Sequence, residues 1–181
     1  MSEETFTDLS PQSAPAASRR IMEATRQRLG FLPSAMARLA VSPHTLEAFT
    51  RMSAAFEDTS LDVLARETVV LTVATRNRCH VCVAMHTRKL RALQADQELI
   101  EALREARPLP DARLEAVRVF TVEVLDRAGD VDQKALDAFL AHGYTAEQAL
   151  EVVLGIGAYT LSTLANRLTG APVDPELEPY A

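Results

Sequence analysis

Cysteine is nearly absent. The 181 residues hold two, far too few for a disulfide-stapled scaffold. A basic excess is missing as well: 19 Lys and Arg against 25 Asp and Glu leave a net charge of −6. Arg76 and Arg78 make no patch, which argues against a nucleic-acid backbone as partner. No uninterrupted apolar run has the length of a bilayer span, so no membrane partner is expected. Residues 1–17 are acidic, then rich in Pro, Ser and Ala, without the basic start and apolar centre of a secretory signal. They are expected to form a mobile arm on a cytoplasmic protein. Sustained alternation of apolar and polar residues, the mark of a half-buried strand, is also lacking. No linker separates two folded units and no segment repeats. What is present is an apolar content of 48%, enough to build one core.

Ala, Leu, Glu and Arg dominate, and the chain reads as an all-α domain over 18–170 with an extended tail at 171–181. Ser18 is expected to cap a first helix that ends at Gly30. A short helix follows Pro33. Ser42-Pro43 opens the next, with proline in the first turn, carrying Leu46, Phe49, Met52 and Phe56 inward. A helix from Asp62 meets a break at Asn77-Arg78, and the cysteine helix then runs to about Gln94. Asp96 starts a short helix. Asp111 caps one that reaches Ala128, and Asp132 begins another that Gly143 ends. Thr145 and Gln148 form a capping box and open the longest helix. There Leu150, Leu154, Gly157, Leu161, Leu164 and Leu168 make a coiled-coil-like stripe, and Gly155 and Gly157 permit close approach of another helix.

The two cysteines stand three positions apart, which scatter would rarely produce. Cys79-His80-Val81-Cys82 and then Val83-Ala84-Met85-His86 give Cys-x-x-Cys-x-x-x-His. Residues three and four apart share a helix face, so in a helix Cys79, Cys82 and His86 line one stripe. The break at Asn77-Arg78 puts the cysteines in the opening turns, where unpaired N–H groups and the helix dipole favour a thiolate. Arg76 and Arg78 add positive potential, and His86 can take the proton of Cys82 or stabilise its anion. Thiols at i and i+3 of a helix start can also close a disulfide. The pattern points to redox thiols. Two other readings stand beside it. One is a pair of inert buried thiols. The other is a zinc site of Cys79, Cys82, His86 and a carboxylate, for which the chain lacks the usual second ligand pair. A c-type haem is excluded because Val83, not histidine, follows Cys82. His80 lies one step off the stripe, as a supporting group or simply exposed. Glu67 is twelve residues before Cys79, about 18 Å along a straight helix. By spacing it reads as a solvated first-turn carboxylate, and Tyr159 reads as packing.

Glu67, eleven intervening residues, Cys79-x-x-Cys82, three residues and His86 resemble the signature of the alkylhydroperoxidase D-like (AhpD-like) group of the carboxymuconolactone decarboxylase superfamily. Arg66 to Ala74 is similar to the helix that precedes the cysteines there. Gly30-Phe31-Leu32-Pro33 and Ser42-Pro43-His44-Thr45-Leu46 resemble its peroxidase-related branch. Gly143-Tyr144-Thr145, Glu151 to Leu154, and Asn166 resemble its last long helix.

The resemblance implies an all-helical fold of about eight to ten helices that assembles as a homo-trimer or homo-hexamer. It implies a thiol-dependent alkylhydroperoxide reductase without cofactor or metal. In that scheme Cys82 attacks the peroxide, Cys79 resolves the product as a disulfide, and His86 and Glu67 form a proton relay. A lipoyl or thioredoxin-like dithiol protein restores the thiols. The sequence departs from the best-known pattern at one place: Val81, not histidine, precedes the second cysteine, and His80 follows the first instead. Two alternatives accompany the resemblance. One is lactone decarboxylation or isomerisation, as in the name-giving branch, which does not need the cysteine pair. The other is a non-catalytic redox sensor or disulfide reductase.

Overall fold

The computed structural model describes residues 5–181. Among the described residues there are nine α-helices, a single 3₁₀ turn (Glu178–Tyr180) and no strand. The expected all-α domain is what the chain forms.

The core is built around α4 (Val63–Arg76), which has no solvent face over most of its length: Ala65 and every residue from Glu67 to Ala74 are buried. Asp62 starts it by accepting from the Ala65 N–H. Against α4 pack α5 (His80–Ala92), α6 (Gln97–Arg104), α7 (Ala112–Asp126) and α9 (Ala146–Thr169). Val69, Leu71, Val117, Val152 and Phe139 of α8 (Gln133–Ala141) fill the space between them. A second cluster lies where α1 (Ala16–Leu29), α2 (Ser34–Leu39) and α3 (Pro43–Glu57) meet, around Met22, Leu39 and Leu46. The α3 face is the expected one, with Leu46 and Phe56 fully buried and Phe49 and Met52 packed on the core.

Three details differ from the sequence reading. Ser18 is not a cap: α1 begins at Ala16, and the buried Ser18 hydroxyl donates to the Ala40 carbonyl at 2.8 Å, tying α1 to the end of α2. The α7 helix stops at Asp126, and Ala128 sits in the following turn with φ 52°. The cap of α2 comes from the far end of the chain. Pro33 has no capping oxygen, and Asp174 supplies one, accepting from the Ser34 N–H at 2.9 Å and from its hydroxyl at 2.7 Å. The tail at 171–181 is therefore anchored, with Leu177 fully buried and Arg104 donating to the Tyr180 carbonyl at 2.6 Å. Of the arm expected over 1–17, residues 1–4 lie outside the described residues. Farther along, Asp8 pairs with Arg38 at 2.6 Å and Ala14 is buried.

The long helix α9 opens with the expected capping box at Thr145 and Gln148. Its inward face is Val152, Gly155, Ala158, Tyr159, Ser162 and Asn166, whereas Leu150, Leu164 and Leu168 of the leucine stripe are exposed. By length and composition α9 also reaches a bilayer span, with a mean hydropathy of 1.2. That corrects the expectation of no such segment, although Ser162, Thr163 and Asn166 place polar groups on its buried face. Gly155 is where α9 crosses α3 and α4: a Cβ there would stand 2.5 Å from Cζ of Phe56.

Candidate functional site

The site depends on one chain reversal. α4 ends at Arg76, Asn77 follows, and Arg78 takes the left-handed conformation with φ 52°. The reversal is held from α9. Arg167 donates to the carbonyls of Asn77 and Arg78 at 3.0 and 2.9 Å, and Asn77 donates to the Thr163 hydroxyl at 2.9 Å. Cys79 is then the N-cap of α5, and Cys82 lies in its first turn.

Folding α5 back along α4 closes the separation that twelve residues of straight helix would impose. Glu67, 1% exposed, accepts from both sides: its Oε2 is 2.7 Å from Nδ1 of His86, and its Oε1 is 2.8 Å from Nζ of Lys89. The solvated-carboxylate reading from spacing is thus overturned. Burial pushes the Glu67 carboxyl upward, but His86 and then Lys89 outweigh it, so the group is held below the ordinary carboxylate range. Lys89 also bonds Glu57 at 2.5 Å. Burial works against its charge, yet the two carboxylates raise its pKa above the ordinary lysine value.

The sulfurs of Cys79 and Cys82 are both free and buried, 2.8 Å apart. Asn166 reaches in from α9, its Nδ2 at 3.3 Å from the Cys82 sulfur and 3.8 Å from that of Cys79. The Ser162 hydroxyl is 4.0 Å from Cys82. Cys79 Sγ is placed to donate toward Cys82 Sγ, and of the two thiols Cys79 is the one whose pKa is lowered. The hydrogen bond with Cys82 lowers its pKa most, against burial, with help from Asn166 and Arg167, down to about 6. Cys82 moves the opposite way, pushed well above the usual thiol value by its neighbour's sulfur and by burial. The lowered pKa thus falls on Cys79 and not on Cys82.

Cys82 borders an open cavity of about 630 Å³ lined by α1, α2, α3, α5 and α9, and Cys79 does not. His86, Lys89, Tyr159, Ser162 and Asn166 stand on the same wall. Tyr159 stacks edge-on to His86 at 5.2 Å between centroids, and burial raises its phenol to about 12, so it faces the cavity as a neutral donor. His80 is exposed at the first position of α5 and does not border the cavity. Among the described residues no group of three or more His, Cys, Asp or Glu is placed to hold a metal ion. Spacing missed Lys89, Ser162 and the cavity role of Tyr159. Lys89 alone carried a signal, three residues after His86 on the same face.

The profile of the carboxymuconolactone decarboxylase family matches residues 43–122, the stretch from α3 to α7 that contains Glu67, both cysteines and His86. The chain superposes on the alkylhydroperoxidase AhpD core of an uncharacterized peroxidase-related protein from Ralstonia eutropha JMP134 with a TM-score of 0.84, 22% identity, and 95% and 93% of the two chains covered. The fold is AhpD-like, and residues 43–122 are similar to the carboxymuconolactone decarboxylase family. An uncharacterized peroxidase-related protein from Silicibacter sp. TM1040 is similar to this chain at 22% identity, TM-score 0.79, over 94% and 93% of the chains. The debrominase Bmp8 shares the fold at 16% identity, TM-score 0.78, over 97% and 95%. No curated protein matches the sequence.

Proposed function

We propose that the protein is a thiol-dependent hydroperoxide reductase. The observation that carries the reading is the sulfur pair 2.8 Å apart, with Cys82 opening onto the cavity and Cys79, its pKa lowered, behind it. The proton on Cys82 passes to Cys79 as Cys82 approaches the substrate. The Cys82 thiolate then attacks the distal oxygen, the O–O bond breaks, and Cys82 becomes a sulfenic acid. The departing alkoxide takes a proton from His86, one turn along α5, whose other nitrogen is oriented by Glu67. Cys79 gives up its proton and attacks the Cys82 sulfur. The hydroxyl leaves as water and a disulfide forms. A dithiol of the lipoyl or thioredoxin kind reduces the bridge by exchange and is itself oxidised. Asn166 supports both steps by donating toward whichever sulfur is anionic.

Purified protein given an organic hydroperoxide and a dithiol is expected to release the alcohol, and Cys82→Ser to abolish turnover. A serine variant as fast as the parent would remove the assignment. The fold shared with a debrominase favours a second reading, in which the same pair reduces a carbon–bromine bond. Carbon gains a proton, bromide leaves and the cysteines end as a disulfide. Bromide release from a bromopyrrole without peroxide turnover would select it. Lactone chemistry does not use the sulfurs and would survive replacement of both. We also assign the protein to the cytoplasm, as a homo-trimer or homo-hexamer joined through the exposed leucines of α9.

A further inference from the structure

Three cationic side chains border the cavity: Arg28, Arg88 and Lys89. Lys89 is already committed, bonded to Glu57 and Glu67. Arg88 is not. Its Nη1 is buried without a hydrogen-bond partner, and no ion pair among the described residues includes it. Its guanidinium lies over the Phe31 ring, 5.8 Å from the centroid. A ring face offsets part of the lost hydration but satisfies none of the five N–H donors, and arginine cannot shed its proton. Arg88 is only partly buried, and leaving its one buried nitrogen, Nη1, unpaired is unfavourable. Arg88 therefore stands ready for an anion that the protein does not supply.

Helix α5 gives this its geometry. It presents two ridges to the cavity with the same four-then-three spacing: Cys82, His86 and Lys89 on one, Val81, Met85 and Arg88 on the other. The first carries the chemistry. The second is an apolar track that ends in a cation. Arg88 lies six residues beyond Cys82, about 9 Å farther along the axis. Leu29, Pro33 and Met36 continue the apolar wall from the other side. Arg88 attracts an anion at the end of the track remote from the sulfurs, so an acidic substrate has one favoured direction.

We infer that Arg88 anchors a carboxylate, and that the substrate is an apolar organic acid carrying its hydroperoxide at the end remote from that group. The planar fork of the guanidinium matches a carboxylate in two parallel bonds. The inference of a reactive far end rests on the proposed thiol chemistry; the carboxylate site does not.

The test has two arms. In the first, cumene hydroperoxide and its para-carboxy analogue are compared as substrates with a dithiol. The acid is expected to have the higher kcat/KM, by roughly tenfold, through KM, and Arg88→Met to collapse that ratio. In the second, binding of decanoate and of decanol is measured by calorimetry without any peroxide. Decanoate is expected to bind the parent more tightly than decanol, to lose that advantage in Arg88→Met and to recover part of it in Arg88→Lys. Arg88-dependent decanoate binding with no turnover of either peroxide would sink the peroxidase reading and leave the anion site standing. Equal binding of decanoate by the parent and a folded Arg88→Met protein overturns the inference.

Discussion

At the scale of single residues, the account turns on where one proton sits. With the Cys79 pKa lowered to about 6 and that of Cys82 pushed well up, the pair is expected to carry one negative charge at neutral pH. Cys79 is depressed, so the thiolate is present above pH 6 and is lost as the pH falls through about 6. Thiolate absorbance is expected to titrate as one group with that midpoint and a second well above 9, the ordinary thiol value. Cys82→Ala removes the largest cause of the depression and should move the low midpoint upward by more than a unit. A midpoint that stayed near 6 would contradict a depression caused by Cys82. The Cys79, Cys82, His86 stripe was legible because helical spacing alone sets it. The partner of His86 was not. Glu67 reaches it only because Arg78 accepts a left-handed φ and turns α5 back, and nothing in the local composition marks a non-glycine residue for that conformation. Likewise the lowered thiol could not be assigned by the helix dipole, since the contact between the two sulfurs decides it.

At the scale of elements, α9 holds the site together. It supplies Asn166 to the sulfurs and Arg167 to the turn, and it can lie this close because Gly155 faces Phe56 and Val69. Gly155→Ala puts a methyl group against a buried ring. It should cost about 1–3 kcal/mol from overpacking, read as a fall in the urea midpoint at unchanged slope. No loss would mean that the crossing has slack. The capping box and the ends of α9 follow from local residue chemistry, and they appear where the sequence puts them. Which side of α9 faces inward does not follow. A helix with apolar residues around most of its circumference has more than one candidate core face, and here the leucine stripe is largely the outer one. The cap of α2 by Asp174, 140 positions away, is beyond any local signal.

At the scale of the whole molecule, an AhpD-like fold leaves Leu150, Val153, Leu164 and Leu168 exposed along one helix. Scattered apolar residues on a surface are ordinary, and this row along one helix is the face through which we propose that copies of the chain associate. Replacing Leu164 and Leu168 with glutamate should reduce the light-scattering mass to that of one chain, 19.8 kDa, with the far-ultraviolet helix signal kept. An unchanged oligomer would place the contact elsewhere. The helical class was legible from the absence of strand periodicity, but the cavity was not, because it lies between α1, α2, α3, α5 and α9, segments remote in sequence.

The most direct measurement is a single turnover. The reduced protein is mixed with one equivalent of an organic hydroperoxide and, with no dithiol present, protein and products are weighed by mass spectrometry. The account predicts one equivalent of alcohol, a loss of two hydrogen atoms from the chain, and a bridge between Cys79 and Cys82. Intact peroxide beside two free thiols would contradict it.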